Sequence, residues 1–384
     1  MDHATQIGLV RRIFGYLDQH ESAMNDRVYR QPVMAYADPE HALLEQQRLF
    51  RERPLVLGLS CEIPGAGDFF THDLTGVPIL VVRAASGRLR AFLNVCRHRG
   101  AKVASGSGCG RRSFACPYHA WTYNCEGRLV GVGTRHGFEG LERESYGLTP
   151  LELEEKHGLI WVRPTPGAPF DPDTLLYGMA RDLGAYGWAG YRHHETRLVR
   201  RRMNWKLAVD TFLESWHVPV LHRNTVARVL HGGVGAFDEF GSNLRVIFPL
   251  RSIDELRHRP ESEWNLVRHA LILHVIFPNT VLVMADDHLE TWRIFPVGEQ
   301  PEESVMQVSL YTPEPPTTAS ERAEWDRRLA LLLGTVDDED FPVGEGIQRG
   351  FASGAQTHVT FGRHEPALTH FHRAIAHELE LERR

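Results

Sequence analysis

The segments NVCRHRGAKV (residues 94–103) and FACPYHAWTY (114–123) hold the densest chemistry in the first half of the chain. Cys96 and His98 form C-x-H, seventeen residues follow, and Cys116 and His119 form C-x-x-H. Each pair stands where a β-favouring run gives way to a loop, with Gly100 and Pro117 forcing the turns. Two facing loops of this kind bring two thiolates and two imidazoles to one point. A structural zinc is the plainer reading of such a set, although zinc fingers usually pair Cys with Cys and His with His. A two-iron, two-sulfide cluster wants two thiolates on one iron and two imidazoles on the other. Cys96 with Cys116, and His98 with His119, supply that division.

Outward from these loops, short β-favouring runs such as PILVVRA, LRAFLNV and HGLIWVRP alternate with Gly-rich turns. They predict a small all-β module over residues 53–163. Before it, Ile7, Val10, Ile13, Phe14 and Leu17 recur at helical spacing, and Asp38-Pro39 opens a second helix through 41–50. Residues 1–52 are therefore an N-terminal helical segment, expected to pack on the C-terminal domain. After the β module, Pro164, Pro166, Gly167, Pro169 and Pro172 crowd together, and a domain over 164–384 follows. There a helix is expected over 205–216, with strands at 243–250, 270–276, 280–285, 288–296 and 304–311. Helices at 319–333, 338–349 and 366–382 complete an α+β pattern.

With 384 residues, 42% hydrophobic and 24% charged, the chain is an ordinary well-cored protein, and its net charge of −6 offers no basic patch for nucleic acid. Five cysteines are an odd number and too few for a disulfide framework, which fits a reducing compartment. The N-terminus has no uninterrupted apolar run after a basic cluster. The tract LILHVIFPNTVLVMA (271–285) is broken by His274, Pro278 and Asn279. A cytoplasmic protein without a membrane span is expected. Cys61, Cys109 and Cys125 read as small hydrophobes or loop thiols rather than ligands.

A second constellation lies in NWKLAVDTFLESWHVPVLHRN (204–224). His217 and His222 are five apart, and Pro219 breaks the helix between them so that the second imidazole can swing back. Asp210, Glu214 and His217 share one face of the expected helix. Two carboxylates in that apolar run are costly unless paired or coordinated. A carboxylate from far along the chain would complete two His and one carboxylate for Fe(II). DDEDFPVGEGIQRG (337–350) supplies it, with Asp340 the choice and Asp337, Asp338 and Glu339 read as the solvated start of a helix. Gly131-Val132-Gly133 lacks a third glycine, so no dinucleotide fingerprint is present.

CRHRG and CPYHAW resemble the Rieske iron–sulfur domain. Asn204-Trp205-Lys206, Asp210, Glu214, Trp216-His217 and His222, with EDFPVGEGIQRG, resemble the large (α) subunits of Rieske non-haem iron, ring-hydroxylating oxygenases. The resemblance implies an all-β Rieske [2Fe-2S] domain held through Cys96, His98, Cys116 and His119. It also implies an antiparallel-sheet, helix-grip catalytic domain with mononuclear Fe(II) on His217, His222 and Asp340. Asn204, Asp210 and Glu214 would be catalytic, with Glu214 the acidic bridge to a cluster histidine. High-potential Rieske proteins carry extra Cys and Ser groups where this chain has Ala101, Tyr118 and Trp121, so a low-potential cluster is expected.

The activity implied is a terminal oxygenase that hydroxylates an aromatic or related organic substrate with O2. NAD(P)H and flavin would act only on a separate reductase, with or without a ferredoxin. Oxidative N- or O-demethylation of a quaternary amine or methoxy compound is the alternative, and a Rieske-type electron carrier without oxygenase activity a third reading. A head-to-tail homotrimer, joining the cluster of one subunit to the iron of the next, is the implied assembly.

Overall fold

The computed structural model describes residues 1–381, apart from the Arg135 side chain, and divides them into two compact units. One comprises Gln46–Pro172 with Trp188–Gly190; the other comprises Met1–Glu45, Asp173–Gly187 and the chain from Tyr191 onward. The boundaries thus move from the expected 52 and 163. The first falls inside a helical stretch, where Pro39–Gln47 continues into a π-helical turn at Arg48–Glu52, so no loop composition marked it. The second follows the proline cluster rather than preceding it.

The β unit is built from three antiparallel sheets. Its small three-stranded sheet, Ser113–Ala115, Thr122–Asn124 and Leu129–Gly131, frames the second Cys-His loop as a hairpin, with Phe114 opposite Tyr123. Phe69, Leu80, Val82, Phe92, Phe114, Trp121 and Tyr123 form one apolar cluster, and Cys96 and Cys116 are embedded in it.

The other unit centres on a seven-stranded antiparallel sheet. Its order is Arg192–Arg201, Gln300–Thr312, Leu289–Val297, Thr280–Met284, Ala270–Ile276, Asn243–Pro249 and Ala236–Phe240. Of its central strands, Thr280–Met284 and Ala270–Ile276 are near-continuous apolar runs, while their neighbours Leu289–Val297, Gln300–Thr312 and Asn243–Pro249 mix polar residues into mostly buried stretches. Helix Pro366–Glu378 packs on the Asn243–Pro249 and Ala236–Phe240 end, with Phe371 and Ile375 among its buried residues. The expected end of that helix at residue 382 lies outside the described residues. Tyr29–Pro32 pairs with His358–Phe361, tying the N-terminal segment into this unit. The strand Arg192–Arg201 was not foreseen, because RHHETRLVRR hides its alternation under charge; charged side chains suit its place at the sheet edge. No helix among the described residues is long and apolar enough to cross a membrane.

The expected helix 205–216 is shorter. It runs only over Trp205–Asp210, and a second, Val218–Leu221, follows an irregular stretch at 211–217. Glu214 accounts for the break: its Oε2 accepts the backbone N–H groups of Trp216 and His217, the latter at 3.2 Å, in place of helical carbonyls.

Candidate functional site

The two Cys-His loops share one backbone frame. Cys96 donates its N–H to Ala101 O (2.8 Å) and accepts from Gly100 N (2.9 Å); Cys116 donates to Trp121 O (2.8 Å) and accepts from Ala120 N (2.9 Å). Gly100 and Ala120, at the same step of each loop, take positive φ of 82° and 55°. Gly fits that conformation without strain, while Ala120 carries a steric cost that the surrounding loop sustains. The thiols lie in the core at 3% and 4% exposure, and His98 and His119 stand at the surface side with ring centroids 4.7 Å apart. His98 stacks on Trp121 at 5.0 Å. Burial, then the nearby His119 and Arg99, hold its pKa below the usual imidazole value, favouring the neutral ligand form. Two thiols inside and two imidazoles outside match a two-iron cluster with one iron on each pair.

One partner escaped the sequence reading. Tyr123 Oη lies 3.4 Å from Cys96 Sγ and accepts the Arg97 N–H at 3.0 Å. Burial, and next Cys96, push the phenol's pKa up, so it stays a hydroxyl able to donate to sulfur. Of the positions expected to lack such a donor, Tyr118 Oη accepts instead from Arg99 at 3.4 Å. The cluster therefore has one side-chain hydroxyl beside its sulfur ligands, supplied from the following strand.

In the other unit His217 and His222 are the two caps of the helix Val218–Leu221, with Pro219 in its first turn. Their Nε2 atoms converge on Asp340 Oδ1, at 3.7 Å from His217 and 3.2 Å from His222, and the three ligand atoms lie within 4.8 Å of one another. Asp340 is 7% exposed and closes a π-helical turn, Val336–Asp340, between helices Ala319–Thr335 and Phe341–Ala352. Such a widened turn is a frequent device at functional sites. A buried carboxylate facing two imidazoles is costly without a cation, so this donor set fits a divalent metal, and two His with one carboxylate suits Fe(II) with open positions.

Each imidazole is backed by an acid. Glu214 Oε1 binds His217 Nδ1, and Glu339 Oε2 binds His222 Nδ1 while accepting the Thr225 hydroxyl at 2.7 Å. Burial would raise Glu214 and Glu339, but the His contacts and, for Glu214, two backbone amides outweigh it and keep both carboxyls low. An ionised carboxylate only accepts, so each Nδ1 carries the proton and each Nε2 lone pair is free for metal. Glu339 is a correction: it is not a solvated helix start. Burial lowers His222, yet Asp340 and Glu339 raise it above the ordinary value, so metal uptake at low pH would expel a proton.

Asp210 and Asn204 stand further out. Asp210 accepts from Tyr36 Oη at 2.8 Å and pairs with His372 Nε2 at 3.0 Å. Asn204, expected among the catalytic residues, is 1% exposed and architectural. It caps its helix through Lys206 N (2.9 Å) and donates to the Tyr36 and Pro301 carbonyls. Beneath it Lys206 pairs with Glu45 at 2.5 Å, both buried.

A cavity of about 380 Å³ opens on His217, His222 and Asp340. Val226, Leu230, Phe248, Leu271, Leu273 and Val283 line it, from the segment after His222 and from three strands of the sheet, with Leu331 and Leu332 from helix Ala319–Thr335. A second cavity of about 350 Å³ meets Glu214 and Asp210 from another side.

The family model "Ring hydroxylating alpha subunit (catalytic domain)" matches residues 188–380, and "Rieske [2Fe-2S] domain" matches 53–140. The chain is 30% identical over 205 residues to a glycine betaine monooxygenase oxygenase subunit of Pseudomonas aeruginosa, covering 53% of this chain and 47% of that protein. It is 36% identical over 163 residues to the biphenyl 2,3-dioxygenase α subunit of Rhodococcus jostii, covering 42% and 33%. These matches thus span about half or less of the relatives' length. A crystal structure of a quaternary ammonium Rieske monooxygenase with L-carnitine superposes with a TM-score of 0.78 at 20% identity, over 92% of this chain and 97% of that one.

Two outcomes test the centres separately. Tyr123→Phe removes about 1 kcal/mol of redox-dependent hydrogen bonding, so the cluster potential should fall by on the order of 40 mV in a redox titration. An unchanged potential would show that the hydroxyl does not reach the sulfur. Asp340→Ala should keep the cluster's visible colour and lose mononuclear iron, while Glu339→Gln should weaken iron binding by roughly 10–100-fold. Full iron retention in Asp340→Ala would move the ligand elsewhere.

Proposed function

The chain belongs to the ring-hydroxylating α-subunit family and carries a Rieske domain beside the family's catalytic domain, and from that premise we propose that it is the terminal oxygenase of a multicomponent system. It takes electrons from a separate NAD(P)H-dependent flavin reductase, directly or through a ferredoxin, and uses O2 to hydroxylate an aromatic or related organic substrate. The observation that carries this reading is the convergence of His217, His222 and Asp340 on the floor of an apolar cavity.

Bound at these two sites, the [2Fe-2S] cluster would supply electrons and the mononuclear Fe(II) a place for O2 beside the substrate. The chain's own residues do the rest. Glu214 and Glu339 fix both imidazole tautomers, and the aliphatic wall excludes water. Glu214 is also placed to relay between sites. Its side chain lines the second cavity as well as the first, so it is approachable from a side other than the substrate chamber. This supports a head-to-tail trimer in which His98 or His119 of one subunit meets Glu214 of the next. A cytoplasmic location suits the five unpaired cysteines.

Oxidation of a quaternary amine is the second reading, supported by likeness to the glycine betaine enzyme. Phe212 and Phe248 line the cavity among mostly aliphatic side chains, which suit a ring or alkyl body. The cavity therefore favours the hydroxylation of a ring or alkyl body.

Glu214→Gln should retain both metals yet slow oxidation of the reduced cluster by roughly 10–100-fold in a single turnover with substrate and O2. Wild-type kinetics in that variant would remove Glu214 from the relay.

A further inference from the structure

At the end of the cavity where His288 and Arg328 also line it, Glu290 sets a carboxylate into a row of aliphatic side chains. Strand Leu289–Val297 places Glu290 opposite Val283, and Val283 lies opposite Leu273 on the next strand, so the three side chains share one row on one face. All three line the chamber, two of them aliphatic and the third a carboxylate with its side chain 13% exposed. A buried carboxylate requires compensation, and Glu290 receives it unevenly. Oε1 meets His288 Nε2 at 3.1 Å, whereas Oε2 has only a long contact, 3.4 Å, with Trp292 Nε1.

The neighbouring basic groups are shared with, or given to, other acids. His288 spends its second nitrogen on Asp287 at 2.6 Å. Arg328, the other charged group at this end, binds Asp287 and, through Nε at 3.1 Å, Glu324. Neither Asp287 nor Glu324 lines the chamber. Away from the His217–His222–Asp340 site and its backing acid Glu214, Glu290 is the carboxylate that lines the chamber, and its Oε2 keeps spare acceptor capacity, since a carboxylate oxygen takes more than one hydrogen bond.

We propose that Glu290 is the polar anchor for the substrate, accepting a hydrogen bond from a hydroxyl or amine on an otherwise apolar molecule. The substrate class is then an aromatic or branched alkyl body bearing an O–H or N–H donor. The aliphatic row takes the body, and the donor seats at the His288–Glu290 end. This rests on the reading of the cavity as the substrate chamber.

The test is calorimetric titration of the holoenzyme with matched probes: 2-phenylethanol, ethylbenzene, which lacks the donor, and 3-phenylpropionate, an anion. Differences in desolvation between probes cancel when wild type and variant are compared. The ratio of 2-phenylethanol to ethylbenzene affinity should be at least about tenfold higher in wild type than in Glu290→Leu. Glu290→Gln, which keeps a carbonyl acceptor, should retain part of the ratio, with cluster spectrum and iron content unchanged in both variants. An unchanged ratio in Glu290→Leu, or tighter wild-type binding of 3-phenylpropionate than of 2-phenylethanol, would overturn the proposal. Binding is read without turnover. If the oxygenase reading fails, no probe gives O2-dependent product, while the binding ratio still decides the anchor.

Discussion

Two imidazoles aimed at one buried carboxylate set the terms for the catalytic unit. Asp340 is nearly enclosed, and its oxygen faces His217 and His222 rather than water. Several local irregularities serve that arrangement. Pro219 sits between the histidines, so they cap a one-turn helix instead of riding a long one. Glu214 turns back onto two amides, ends the preceding helical path and holds His217. The π-helical turn at Val336–Asp340 lets adjacent acids do different work, Glu339 behind His222 and Asp340 in front of it. Each departure from regular helix is repaid by a fixed ligand orientation.

Much of this was legible in the residue spacing, and what was not has physical reasons. The four cluster ligands sit on two tight loops whose frames repeat, so local spacing carries nearly all of their geometry. His217 and His222 were visible for the same reason, with a proline between them. Glu339 was hidden because a run of acids reads as a solvated helix start, and a π turn is a hydrogen-bonding pattern that composition does not encode. Tyr123 looked like an ordinary strand residue; its value to Cys96 depends on two loops meeting in space. Asn204 drew attention by its place in the motif, yet its bonds are those of a helix cap. Charge masked the edge strand Arg192–Arg201, where tertiary pairing with Gln300–Thr312 outweighs local pattern.

The ligand chemistry divides cleanly between the units. Thiol ligands belong to the Cys-His loops alone, buried among aromatic rings, carboxylate belongs to the site that opens on the cavity of about 380 Å³, and imidazole serves both. Of the other three cysteines, Cys125 donates to the Arg111 carbonyl at 3.2 Å, Cys61 is half-buried and Cys109 is exposed. The cavity is mostly aliphatic with one acidic row position, which places selection in Glu290 and its strand neighbours rather than near the metal ligands.

The central claim is that one chain holds a two-iron cluster and a separate single iron. Metal and acid-labile sulfide analysis of the purified, anaerobically reconstituted protein tests it directly. The account predicts about three irons and about two sulfides per chain, with negligible zinc. About one zinc per chain with no sulfide would contradict it.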